Sequence, residues 1–582
     1  MNQEPDKRNR FRRWMCAIIW SCVVIPFVNG AHELDQQFAP PEAYLSGDPL
    51  PYFGSENPWN RRFFERDNPR RIGQPELLLI QEGRLEEAIA MCHDILAGDG
   101  GEVESHLLLA VALGLQSRIE EAEISLRTAL DRGLPPERVL VGPRSLLEPL
   151  SETSIFKDIL TSSNGLLHGP MLGAVTDRSA RFWVRTWSES EIEIRVSVDS
   201  HFKETDAVGT ARTSSGNDHT AVVEIDGLNP GTTYRYQMLI DGRPISSQPE
   251  WRFRTFPTKE SDEVVRIAFG GGAMYYPPNE RIWDTIRLRD PDAFLILGDN
   301  VYIDIPESVG AFHDYTYYQR QSRPEFRRLV AGTPIYAIWD DHDAGIDDVF
   351  LGPYPDKPAW KLEHFELFRR NWNNPSYGAE PEWPAVWFKM RIGAVECFLL
   401  DGRYYRENPF RPNPSMLGPV QKQWLLDGLR ESTAVFKLIV SPVAWADDAK
   451  VRDETGPNGE VLYATDTWAG FKEERGEIFD FLAKHAISGV MLLSADRHRT
   501  DLRRIGRPNG YPLYDLMSSW LTNPKGTDSS GDPLWEYFDK PAFAVLTFDS
   551  SGSDPVMSIE VANIEGVPVL NKDIHLSELR NK

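Results

Sequence analysis

Apolar and polar residues alternate with a period of two through residues 180–257. The segments "ARFWVRTW" (Ala180 to Trp187), "EIEIRVSVD" (Glu191 to Asp199), "TAVVEIDGL" (Thr220 to Leu228), "TTYRYQMLIDG" (Thr232 to Gly242) and "EWRFRTFP" (Glu250 to Pro257) each give a short strand one apolar face. Such strands, repeated at short intervals, predict a β-sandwich over residues 165–258. Beyond Val264 the alternation gives way to continuous apolar runs: "VVRIAFG", "DAFLILGD", "PIYAIWD", "ECFLLDGR", "KLIVSPVAW" and "GVMLLSADRH". Runs of this length that stop at Gly or a polar residue suit strands buried on both faces, and they predict an α/β domain over residues 262–565.

The amino-terminal third follows a helical period. "GRLEEAIAMCHDIL" from Gly83 and "SRIEEAEISLRTAL" from Ser117 share one pattern, with Arg84 and Arg118 34 residues apart. That spacing is the period of a tetratricopeptide (TPR) array. It predicts a TPR-like helical region over residues 76–150, either a docking surface for a protein partner or a hairpin packed on its own chain. Residues 31–75, rich in Pro, Asn and Arg, read as an extended arm or linker. Residues 566–582 read as a C-terminal tail. Within the sandwich, "LNPGTTYRY" resembles the tyrosine-corner turn of fibronectin type III domains, with Tyr234 at the corner.

Residues 1–30 change the expected location. A basic start (Lys7, Arg8, Arg10, Arg12, Arg13) precedes the apolar "WMCAIIWSCVVIPFV" and the small residues of "NGAHE". This is the layout of a secretory signal cleaved after Gly30 or Ala31, or else of a short anchoring helix, although the run is shorter than the ~20 residues a bilayer requires. The chain is expected to be exported, and to meet a membrane only if that segment stays uncleaved. Its formal charge of −24 and the lack of a basic stripe disfavour a nucleic-acid backbone as the main partner. Beyond the signal only Cys92 and Cys397 remain, too few for a disulfide framework.

The apolar runs place chemistry at their ends. "LILGDNVYID" carries Asp299, Tyr302 and Asp304, "WDDHD" carries Asp341 and His342, and "SADRH" carries Asp496 and His498. Open α/β sheets bind ligands outside the carboxyl ends of their strands, and these donors together are what a metal site requires. In "GDNVY" the glycine permits a turn that lets Tyr302 curl back to an ion held by Asp299. In "DRH" positions i and i+2 of an extended segment would bring Asp496 and His498 to one ion, with Arg497 pointing away. Asp304 reads as a helix cap or supporting acid, and Asp347 with Asp348 as a solvated loop.

In their order, "HGPMLGAVTDRSARFWVRT", "GDNVYID", "WDDHD", "DGRYYR", "MLGPVQKQWLLDGL", "DTWAGFKEER" and "DRH" resemble the alkaline phosphatase D (PhoD-like) family of metallophosphoesterases over residues 168–565. "GDNVYID" is also similar to the purple acid phosphatases. The resemblance implies a multidomain chain: an α/β metallophosphoesterase sandwich preceded by the fibronectin-III-like β-sandwich and the small α-helical TPR-like segment. It implies two or more metal ions, iron and calcium, with zinc or manganese as alternatives. Asp299 would bridge two metals, Tyr302 would bind the iron-type ion, His498 would ligate from the far strand, Asp341 would take the second metal, and Asp496 would belong to the same cluster, on the calcium side. His342 would be the general acid, and Arg403 would bind phosphate oxygens of a phosphate-ester substrate.

One position departs from that pattern. Family enzymes carry a cysteine ligand near the position of Gly272, where this chain has "FGGGA". The expected function is therefore an exported metal-dependent phosphatase or phosphodiesterase, and the rival is a weakened metallophosphatase fold that serves as a binding scaffold.

Overall fold

The apolar runs build two mixed sheets that face each other. The computed structural model describes residues 72–98, 102–246, 248, 251–307, 310–409, 413–447, 466–524, 526 and 531–581, with the short strands Glu454–Thr455 and Val461–Leu462. The signal and almost all of the arm read from the sequence lie outside the described residues. No helix among the described residues is long and apolar enough to cross a membrane.

The first sheet has nine strands in the order Pro568–His575, Val556–Asn563, Ala542–Asp549, Val265–Gly270, Ala293–Leu297, Ile335–Ile338, Leu166–Gly173, Ala180–Thr186 and Thr220–Ile225. At its centre four strands, Val265–Gly270, Ala293–Leu297, Ile335–Ile338 and Leu166–Gly173, run parallel, with Phe294 opposite both Ala268 and Ile335. The second sheet has seven strands, with Val395–Leu399, Phe436–Val440, Val490–Ser494 and Leu513–Ser518 parallel in its middle. One buried apolar cluster joins the two sheets, and the rings of Phe436 and Phe548 meet across it at 5.2 Å. The parallel strands of both sheets end at the same edge, so the polar residues after each apolar run gather there.

Two expectations are corrected and one open alternative is narrowed. The β-sandwich is not closed on itself: its strands Leu166–Gly173, Ala180–Thr186 and Thr220–Ile225 continue the nine-stranded sheet, joined where Gly173 pairs with Ile335. Its other strands form a separate five-stranded sheet. The corner residue holds its turn as expected, Tyr234 Oη accepting from the Asn229 N–H at 3.0 Å.

Residues 566–582 are not a tail, because Pro568–His575 is the edge strand of the nine-stranded sheet. Of the two readings left open for the amino-terminal helices, the one packed on its own chain agrees with the structure: Gln74–Gln81, Leu85–Gly98, Val103–Leu115 and Ile119–Asp131 bury a face there. Tyr315 and Tyr318, on the helix Ala311–Gln321, share one buried cluster with Leu77, Leu107 and Leu108. Glu104 pairs with Arg138 at 2.7 Å and accepts from Tyr315 Oη at 2.8 Å inside that contact.

Candidate metal centre

Sharp turns follow the strands at the shared edge. Ala293–Leu297 runs into Gly298, at φ +96°, and then Asp299, at φ +54°. A Cβ on Gly298 would stand 2.4 Å from the Asp340 Cβ, so glycine is what lets this turn pass beneath the next strand end. Asp304, Asp496 and His498 also hold left-handed backbone, at φ +52°, +78° and +47°. Such residues cost about 1–3 kcal/mol each and persist where the surroundings over-determine them, often at functional sites.

The turns bring two groups of side chains together. In the first, Tyr302 Oη donates to Asp299 Oδ2 at 2.7 Å and lies 3.2 Å from His498 Nε2, which is itself 3.6 Å from Asp299 Oδ2. In the second, ligand oxygens of Asp340, Asp341 and Asp496 lie within 4.8 Å of one another. Asp299, Asp341 and His342 satisfy the same limit, so the two groups abut. His342 stacks on Tyr302 with ring centroids 4.1 Å apart, and its Nδ1 is 2.5 Å from Asp304 Oδ1. Its Nε2 faces Asp347 Oδ1 at 3.7 Å.

Charge balance points to cations. Asp299 Oδ1, Asp340 Oδ2 and Asp341 Oδ1 are buried and have no hydrogen-bond partner among the described residues. Burial pushes the Asp299 and Asp340 carboxyls well above the usual carboxylate range and Asp496 up to about 6. Burial pushes Asp341 upward too, but Arg403 and then His342 outweigh it and hold the group below its ordinary value. Carboxylates gathered with so little solvent are costly unless a cation is shared among them. The donors, mostly carboxylate oxygen with one phenol and imidazole, suit hard or borderline metal ions. The residues present therefore fit metal ions.

Two sequence readings change here. Arg403 is fully buried, with its guanidinium bonded to Asp340, to Asp466 Oδ1 at 2.6 Å and to the Val349 carbonyl at 3.3 Å. It braces the acids from beneath and presents no face to a substrate. Asp496 and His498 do not share an ion as an extended pair: left-handed turns at both send His498 to the Asp299 group and Asp496 to the Asp341 group, while Arg497 folds back onto Asp496 at 3.1 Å.

The sequence reading also missed residues. Asp340 stood visible in "WDDHD", but neighbours on a strand point apart. The helical turn Asp341–Ala344 starts between them and brings both carboxylates inward. Asp347 and Asp348, read as solvated, lie with Asp341 in a third close set, and the Asp348 N–H donates to Asp341 Oδ2 at 2.7 Å. Asn523 carried no signal at all; its Nδ2 lies 2.9 Å from Tyr302 Oη and 2.6 Å from His498 Nε2.

A family model described as PhoD-like phosphatase matches residues 268–530, which hold every one of these side chains. This segment belongs to the PhoD-like phosphatase family. Alkaline phosphatase D of Bacillus subtilis (strain 168) is 23% identical over 348 residues, covering 53% of this chain and 58% of that protein. The match thus spans little more than half of the curated relative. The solved structure of PhoD covers 70% of this chain and 92% of its own, at 17% identity and a TM-score of 0.57. The purple acid phosphatase PPD1 from yellow lupin (Lupinus luteus) seeds covers 70% of this chain and 74% of its own, at 12% identity and a TM-score of 0.51. The PhoD-like domain thus shares its fold with both. Residues 163–258, ahead of it, match a domain of unknown function, DUF7800.

Proposed function

We propose that the chain is an exported, metal-dependent phosphoric ester hydrolase. The observation that carries this reading is the convergence of Asp299, Tyr302, Asp340, Asp341, Asp496 and His498 at one sheet edge, where three buried carboxylate oxygens have no hydrogen-bond partner among the described residues. The family match to residues 268–530 supports the reaction class. Export rests on the basic and apolar pattern of residues 1–30.

Asp299, Tyr302 and His498 would hold one ion, and Asp340, Asp341 and Asp496 a second, with Asp299 reaching both. Bound cations supply charge neutralisation of the phosphate oxygens and acidify a water. The chain's own residues do the rest. Asp304 fixes the His342 ring through Nδ1, which directs Nε2 toward the edge where Asp341 and Asp347 lie. His342 is then placed to give a proton from Nε2 to the departing alkoxide. Tyr302 stacks against the same ring and limits its rotation. Arg403 pairs with Asp340 and, by its charge, holds the Asp341 carboxyl below its ordinary value.

The scaffold alternative keeps Gly272 in its favour but has less helical surface to offer, since one face of those helices is buried on the chain itself. Asp299→Asn tests the proposal. It removes the charge common to both groups and should abolish hydrolysis of p-nitrophenyl phosphate and bis-p-nitrophenyl phosphate in a folded protein; retained turnover would refute the assignment.

A further inference from the structure

The sequence around Asn523 holds nothing that marks it as functional, yet the fold drives its carboxamide into the first group of donors. Asn523 is fully buried, and the segment before it folds back on the "FGGGA" turn: the N–H groups of Thr522 and Asn523 both donate to the Gly272 carbonyl, at 3.1 and 3.3 Å. The Asn523 carbonyl accepts from Trp520 Nε1 at 2.7 Å and from Asn279 Nδ2 at 2.8 Å. The side chain is oriented as firmly. Met274 N–H donates to Oδ1 at 3.1 Å, which leaves the NH2 end facing Tyr302 Oη and His498 Nε2. A side chain on Gly272 would compete for this space, because its Cβ would stand 3.2 Å from Asn523 Nδ2.

We propose that Asn523 is a positioning residue that locks Tyr302 and His498 together and biases this end of the site toward a divalent rather than a trivalent cation. The inference rests on the metal-site reading above. A trivalent ion is favoured by anionic oxygen donors, and in the group that also holds His498 the described residues that can supply them are Asp299 and Tyr302. Asn523 adds no charge. Its N–H group donates to the phenol oxygen, which draws electron density from the atom a trivalent ion would need most.

The test uses the full chain, stripped of metal and reloaded from a mixture of ferric citrate and manganese chloride, with bound metals counted by elemental analysis. The native protein is expected to take manganese in excess over iron. Asn523→Asp keeps the shape, leaves one oxygen for the Met274 N–H and turns the other into an anionic donor. The bound iron-to-manganese ratio should rise by about tenfold or more, with a visible phenolate-to-iron band that Tyr302→Phe abolishes. Asn523→Ser, which removes the N–H donor without adding charge, should raise the ratio less and intensify the band of whatever iron is bound. A native preference for iron, or ratios unchanged in both variants, would overturn the inference while leaving the hydrolase reading intact. A native protein that bound neither metal would sink both.

Discussion

Gln74 Nε2 donates to the backbone carbonyl of Tyr302 at 2.8 Å, a bond between the first amino-terminal helix and the loop that carries a candidate metal ligand. The same helices add Gln81 Oε1 to the Phe312 N–H, and the Ile72 carbonyl just ahead of them accepts from Gln319 Nε2. The amino-terminal segment is thus part of the wall behind the site.

Removal of residues 1–164 should therefore damage the protein even though none of the proposed ligands is lost. The truncation strips the apolar cover from Tyr315, Tyr318 and Leu167, each worth roughly 1.5–3 kcal/mol when fully buried. Thermal melting with a dye for exposed apolar surface should show a lower Tm and stronger dye binding. A truncated chain with the native Tm and turnover would contradict this.

His342→Asn should lower kcat by about 10²- to 10⁴-fold on esters with poor leaving groups such as phenyl phosphate. The loss should be smaller on p-nitrophenyl phosphate, whose leaving group needs less help from a proton. Asp304→Asn should act in the same direction and more weakly, since it unfixes the ring rather than removing it. Equal losses on both esters would argue against proton donation.

The stability of the fold should fall in mild acid through a histidine pair behind the site. His313 and His364 pack edge to face at 4.7 Å and bond the carbonyls of Ile305 and Pro306. Burial pushes His313 down to about 4 and His364 down to about 3. Both groups are depressed in the folded chain, so the unfolded chain takes up protons first as pH falls below about 6.5. Stability is full above that pH and declines toward pH 4, by ~3 kcal/mol or more for each group on the scale of 1.36 kcal/mol per pH unit. Denaturant titrations across pH should show this slope, and His313→Gln should flatten it. A native slope unchanged in the variant would show that these rings do not titrate on unfolding.

Gly272 should resist replacement. Its φ is +68°, and a Cβ would stand 2.3 Å from the Ser519 carbonyl oxygen, which belongs to backbone and cannot swing aside. Gly272→Ala is expected to destabilise by roughly 1–3 kcal/mol or more, and Gly272→Cys should not deliver a thiolate to the metal without moving the turn. A Gly272→Cys variant of native stability that held metal more tightly would show that the turn is softer than its contacts indicate.

The strand ends were legible because "LILGD" joins an apolar run of strand length to a turn-forming glycine and an acid. The helical period was legible for the same local reason: the helices Leu85–Gly98 and Ile119–Asp131 begin 34 residues apart, as Arg84 and Arg118 do in sequence. What those helices pack against was not, since Tyr315 and Gln319 lie about two hundred residues downstream. The edge strand Pro568–His575 was hidden because most of its residues are exposed or half-exposed, which reads like a tail. Arg403 misled for a related reason: its partner Asp466 is 63 residues away, and an arginine beside a site looks the same in sequence whether it faces substrate or acid. Asn523 was invisible because it reaches Tyr302 across 221 residues through a turn that no local pattern marks.

If the carboxylates and imidazoles at this sheet edge hold cations and hydrolyse phosphate esters, metal and turnover must rise and fall together. The most direct measurement pairs elemental analysis of the chelator-free protein with turnover of p-nitrophenyl phosphate before chelation, after it, and after metal is restored. Near-stoichiometric metal is expected, with activity that disappears with the metal and returns with it, and neither metal nor activity in Asp299→Asn. Turnover that persists in a protein shown to be free of metal would contradict it.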